Sequence, residues 1–330
     1  MLSIGTRIGP ALILRHLREG LFGDAYEAEG ETGSGKGERF IVKVLPRELV
    51  EGMGFSDHFL RECQVIEQLD QDGIAPLESY GVTKWKHWLR YAWEPGFEGF
   101  PPESDLDAGS EETPEPRRVS SLEDYLNTRG EPLPPEETLT ILTSVLNGLR
   151  GAHAAGLVHG NVKPSNVLLG MTDEGSMDAR LTEFGLPRLT GEDWFRTRWQ
   201  DAEDLEVGEE LPEAAAVVRT TFLHRPPEER GGGECEESGD LFAIGLMGRR
   251  MLTGCSPEEI RSTTADGELP MAWGEWLAKA TAENPKERFR DAGRAIVALP
   301  GIGDVSRFGL RSDDDEDEED GIDAEELRLK

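Results

Sequence analysis

The chain has few cysteines, few aromatic side chains and few positive charges, and the shortages of cysteine and positive charge each remove a class of protein. Three cysteines, Cys63, Cys235 and Cys255, occur in 330 residues; they lack the spacing of a metal site and cannot all pair. A disulfide scaffold and a zinc module are excluded, and free thiols in a reducing compartment are expected. No run of eighteen or more apolar residues is present, so no membrane-spanning helix is expected. The N-terminus has neither a basic leader nor a small-residue cleavage site, and a cytoplasmic location follows as the expectation. Lysine and arginine number 35 against 66 aspartates and glutamates, a net charge of -31. Nucleic acid and anionic membrane both call for clustered cations, so neither is expected as a partner, and a basic protein suits the charge better.

What is present suffices for a sizeable core: 37% of the residues are hydrophobic, enough for one large domain or two lobes. The acidity is uneven. Residues 311–330 hold eleven acids against three basic residues, and residues 97–120 hold seven acids against two arginines among Pro, Gly and Ser. Neither stretch has an apolar face to bury, so both are expected to lack fixed structure, the first as a tail over 301–330 and the second as a surface insertion. Between them Ser121-Leu122-Glu123-Asp124 reads as a helix cap. Pro134-Pro135-Glu136-Glu137 opens a long helix through His153, with leucines at 139, 142, 146 and 149.

Four stretches carry chemistry. From Ile13 to Ala28 an alternating strand, a turn with Gly20 and Gly23, and a second strand follow one another; taken alone, a plain hairpin turn is the better reading. Phe40-Ile41-Val42-Lys43-Val44-Leu45 sets one lysine inside an apolar strand. A buried ammonium requires a carboxylate or an anionic ligand, and Glu62 offers one from a helical stripe at 59, 60, 63, 66 and 69 that Ser56 or Asp57 would cap. An edge-strand lysine reaching solvent is the open alternative. In Leu157 to Leu169 two apolar runs enclose a polar loop with His159, Asn161, Lys163 and Asn166, and Ala179 to Leu186 is a strand leading into Glu183-Phe184-Gly185.

In this order and spacing, over about residues 12–300, the stretches resemble a protein kinase domain of the bacterial Ser/Thr type. The resemblance implies an α+β, bilobal fold: an N-terminal antiparallel sheet lobe with one helix and its hinge over 1–96, the insertion over 97–120, and a larger helical lobe over 121–300. It places Gly20 and Gly23 in a phosphate loop whose first glycine is replaced by Arg18. Lys43 would face phosphates and pair with Glu62, Tyr91 would stand behind the nucleotide, and Ala92 to Glu94 would be the hinge that pairs with adenine. Lys163 would steady the transferred phosphate, and Asn166 and Glu183 would hold the metal. ATP with Mg2+ or Mn2+ are therefore the candidate ligands.

The departures matter as much as the matches. Asn161 stands where the family has its catalytic aspartate, Gly160 where it has arginine, and Glu183 where it has the magnesium-binding aspartate. An amide cannot act as a general base near neutral pH. Residues 187–226 would be the activation segment, carrying Trp194, Phe195 and Trp199 as an interaction surface. Asp240 would tie down the catalytic loop, and Glu228 with Arg288 would form a structural bridge. The expectation is a pseudokinase acting as a nucleotide-responsive or nucleotide-independent scaffold. A slow kinase using Glu183 as metal ligand is the alternative, and a nucleotide-free interaction domain a third.

Overall fold

The computed structural model describes residues 1–31, 36–51, 54–92, 97–99, 117–119, 121–171, 177–186, 197, 213–230, 233–255, 259, 269 and 271–301. Strands Arg7–Ile8 (β1), Ala11–Arg18 (β2), Asp24–Gly30 (β3), Arg39–Val44 (β4), Leu77–Thr83 (β5) and Lys86–Ala92 (β6) form one sheet in the order β1-β2-β3-β4-β6-β5. All its pairings are antiparallel. The period-two pattern of Phe40-Ile41-Val42-Lys43-Val44 divides β4 between the two faces. Phe40, Val42 and Val44 pack with Ile13, Tyr26 and Trp88 on one face, whereas Ile41 joins Ala25, Leu89 and Tyr91 in the larger core on the other. Lys43 lies in register with Ala25 and Leu89, which places it on this second face.

Helices Arg47–Val50 (α1) and Phe55–Ile66 (α2) follow β4. Buried Phe55, Phe59, Cys63 and Ile66 recur at helical spacing and lay α2 against the sheet. The helix begins two to three residues earlier than a Ser56 or Asp57 cap would set it. Gly54, in left-handed backbone, is its N-cap and no side chain caps it; Ser56 lies inside the first turn, 2.8 Å from His87 Nε2, so its hydroxyl is engaged across the lobe.

The second lobe is built from Leu122–Arg129 (α3), Pro135–Ala154 (α4), Glu213–His224 (α5), Pro227–Arg230 (α6), Glu237–Thr253 (α7), Met271–Ala280 (α8) and Ala292–Val297 (α9). Ser121 accepts the Asp124 amide at 3.2 Å and so caps α3, and Pro135 occupies the first turn of α4. Every residue of α7 from Gly239 to Gly248 is buried; a helix apolar all round belongs in the middle of a lobe. Strands Val167–Met171 (β9) and Met177–Leu181 (β10) pair antiparallel below the sheet lobe. The borders of the acidic insertion, Phe97–Gly99 (β7) and Arg117–Val119 (β8), also pair as a ribbon, while residues 100–116 lie outside the described residues, as do Glu94, Trp194, Phe195, Trp199 and residues 302–330.

Two ionic features fix the helical lobe. Arg288, its side chain without solvent exposure, donates to Glu228 Oε1 at 2.6 Å and to Oε2 at 2.8 Å, which is the bridge the resemblance implied. Beside it Glu229 is 5% exposed, with Arg225 Nε 3.8 Å away. Burial pushes its carboxyl up to about 8, against the pull of Arg225. The folded chain therefore keeps a proton that the unfolded chain releases near the ordinary value of 4.5. The stabilisation is full below that value and is lost as pH rises through about 8. Urea unfolding at pH 5 and pH 8.5 is expected to show a lower midpoint at the higher pH, and Glu229→Gln to flatten the difference. An unchanged pH dependence in that variant would remove Glu229 as its source.

Candidate functional site

The polar loop after α4 is held from below. Asp240, 1% exposed on α7, accepts the backbone amides of His159 at 2.8 Å and Gly160 at 2.7 Å and lies 2.9 Å from His153 Nε2. Gly160 takes left-handed backbone at φ 72, a conformation that glycine adopts at little cost. His159 is fully buried, its Nε2 2.9 Å from the Thr182 carbonyl and its ring 4.5 Å from that of Phe184. Such contacts make this histidine a structural pin joining the loop to the turn after β10.

Asn161 is 6% exposed, and its Nδ2 has no hydrogen-bond partner. Its carbonyl accepts from Asn166 Nδ2 at 2.8 Å. Lys163, buried nearby, donates to Thr221 Oγ1 on α5 at 2.7 Å. Burial pulls its ammonium down to about 8, so it is still largely charged at neutral pH. Thr221 was not legible in the sequence, since nothing in the local pattern of α5 marks it as the lysine's partner.

Lys43 does not pair with Glu62. Its Nζ lies 2.5 Å from Glu183 Oε1, with both side chains almost wholly buried. Glu62 is engaged instead with His58, 3.3 Å away and one helical turn earlier. Two features of Glu183 explain the exchange. It has one methylene more than aspartate, and its backbone stands at φ 69, which is uncommon for a residue with a Cβ and turns the side chain up toward the sheet. Tyr91 is buried behind.

Arg18 completes the arrangement. The β2–β3 and β3–β4 registers set Arg18 opposite Ala25 and Ala25 opposite Lys43, in one cross-strand row. Both cations therefore reach the same carboxylate, Arg18 Nη2 lying 3.4 Å from Glu183 Oε1. Burial raises the Glu183 carboxyl, but Lys43 and Arg18 outweigh it and hold the group below the usual carboxylate range. Gly20 and Gly23 form the turn beyond, joined by a Gly23 N–H to Gly20 carbonyl bond of 2.9 Å. Gly23 stands at φ 117, and a Cβ there would lie 2.1 Å from the Val44 carbonyl oxygen, so the close approach to β4 demands glycine.

Two adjoining cavities open between the lobes and share Arg18, Ser121, Asp124 and Glu183. One, of about 190 Å³, has Leu17, Ala25, Ile41, Tyr91 and Leu168 in its wall. The other, of about 260 Å³, has Gly20, Asn161, Lys163, Asn166 and Thr220. The apolar wall and the cations Arg18, Lys43 and Lys163 that a base joined to a polyphosphate requires thus lie in one cleft, together with the carboxylates Glu19, Glu123, Asp124 and Glu183. The donor set does not fit Mg2+ or Mn2+. Such ions seek carboxylate oxygens free of other cations, whereas Glu183 Oε1 already faces two. No cluster of three or more His, Cys, Asp or Glu suited to a metal occurs among the described residues. Of the expected site residues, Gly20, Lys43, Asn161, Lys163, Asn166 and Glu183 thus line one cleft, and Gly23 stands beyond it against β4. Ala92 ends β6 at its border, and Glu62 stands behind it near Gly185.

A sheet lobe over a helical lobe, with a lysine strand, a pinned polar loop and a buried Glu–Arg bridge, defines the class as bilobal kinase-like. The profile of the protein kinase domain family matches residues 113–290, more than half of the chain, and the chain belongs to that family. It is 24% identical over 313 residues to the serine/threonine-protein kinase PknD of Mycobacterium tuberculosis, covering 90% of this chain and 40% of that protein. It is 31% identical over 188 residues to PknL of the same organism, covering 52% and 42%. The chain thus spans well under half the length of these relatives. The crystal structure of the M. tuberculosis PknI kinase domain superposes with a TM-score of 0.59 at 19% identity, over 91% of this chain and 98% of that one. A double mutant of the same domain gives 0.62 at 20%. At such identity the likeness concerns the fold.

Proposed function

We propose that this chain is a pseudokinase: a regulatory binding module that takes nucleotide in the cleft and does not transfer its phosphate. The observation that carries this is the pairing of Glu183 with Lys43 and Arg18, beside an Asn161 that has no basic atom. Phosphoryl transfer depends on positioning and on electrostatic stabilisation of the moving group. Lys43 and Lys163 can bind and orient polyphosphate, Tyr91 and Ile41 can exclude water from the base, and no side chain at 161 takes the acceptor's proton. A slow kinase would require Glu183 to hold metal while Lys43 and Arg18 compete for the same carboxylate. The charge of -31 favours a basic protein as the regulated partner. The cysteine count favours a reducing, cytoplasmic setting.

Intact-mass measurement after prolonged incubation with ATP and either Mg2+ or Mn2+ tests the reading. The chain is expected to keep its mass. A time-dependent gain of phosphate, lost when Lys43 is replaced by Met in a variant that still folds, would establish the kinase alternative.

A further inference from the structure

We propose that the cleft binds the nucleotide polyphosphate without a divalent cation, with the guanidinium of Arg18 taking the place a metal ion would hold beside Glu183. The inference rests on the reading of the cleft as a nucleotide site and adds how its charge is balanced. Three cations, Lys43, Arg18 and Lys163, dominate the electrostatic surroundings of Glu183. Arg18 Nη2 and Lys43 Nζ lie 3.4 Å and 2.5 Å from the same oxygen, Glu183 Oε1. A divalent ion would have to enter against all three, beside an oxygen that two of them already hold.

Three further carboxylates, Glu19, Glu123 and Asp124, stand in the wall of the slot. Glu123 is clamped by Arg250, with two contacts of 2.7 Å. Asp124 accepts the Ser121 hydroxyl at 2.7 Å, and it stands with Glu19 in the wall of the slot. No group of three such ligands suited to a metal exists among the described residues. Arginine is suited to the role. Its charge is permanent, and its planar fork of donors can face the Glu183 carboxylate on one edge and phosphate oxygens on the other. The side chain of Arg18 is 28% exposed at the slot, so part of that fork is open to an incoming ligand.

The test is calorimetric titration of ATP into the full chain, once in EDTA and once in excess Mg2+. Wild-type affinity is expected to be equal or tighter in EDTA, because Mg2+ draws phosphate charge away from the three cations. Loss of one charge-assisted contact corresponds to about tenfold, so Arg18→Gln is expected to weaken binding in EDTA by about that factor. In that variant Mg2+ should then strengthen binding. Gln keeps most of the bulk, and circular dichroism confirms that the variant folds. Wild-type binding that requires Mg2+, or an Arg18→Gln variant with unchanged affinity in EDTA, would overturn the inference and leave the nucleotide reading standing. Absence of binding in both buffers would remove the two together.

Discussion

Replacing Arg288 with alanine is expected to lower stability by about 3 to 5 kcal/mol, a fall in Tm of roughly 10 °C for a domain of this size. The guanidinium is fully buried and holds Glu228 with two short bonds. It also donates to the Ala282 carbonyl at 2.8 Å and the Ser238 carbonyl at 3.0 Å. Truncation leaves these acceptors without their donor in a packed site, and that loss exceeds the worth of the ion pair itself. Glu228, partly exposed, can rehydrate, which keeps the cost within the stated range. Arg288→Lys is expected to fall between the two, since a point charge cannot serve both oxygens and the carbonyls in one plane. Urea denaturation with the far-ultraviolet signal as readout decides it; a cost under about 1 kcal/mol would mean the bridge contributes no more than a surface pair.

The second large expectation is a negative one. Asn161→Asp restores the base that the loop lacks, and if that were the only defect phosphotransfer should rise by about 10²- to 10⁴-fold. The expected result is no measurable gain. Glu183 stays bound by Lys43 and Arg18, so the phosphate-side electrostatics remain those of the wild type. A misplacement of about 1 Å can cost about 10²-fold by itself. Transfer in this variant that rises above the wild-type level by more than about 10²-fold would show that the Glu183 arrangement gives way easily.

Much of the frame was legible because local pattern and burial coincide. The Ser121 cap and, at Phe59, Cys63 and Ile66, the apolar stripe of α2 follow from spacing alone, whereas Leu60 is 39% exposed and Leu69 lies past the helix end. Asp240 under the loop and Arg288 on Glu228 could be placed through the resemblance, since each sits within a recognisable stretch. The partner of Lys43 could not. A lysine in an apolar strand demands a carboxylate, but two were within reach, 19 and 140 residues away in sequence, and the choice fell to a left-handed backbone at Glu183. Arg18 was visible as a misfit in the phosphate loop. That it shares a carboxylate with Lys43 depends on β-bulges in β2 that shift the register before it, and no periodicity reveals a bulge. The cap of α2 was misassigned because the helix already starts at Phe55, which puts Ser56 and Asp57 inside its first turn.

The central claim is that the cleft binds without transferring, and radiolabelled phosphate transfer from ATP to a basic generic protein measures it most directly. The full chain is assayed with Mg2+ and with Mn2+ beside a folded Lys43→Met control. The account predicts that wild type and control give the same background counts under both metals. Transfer by the wild type that the control lacks would contradict it.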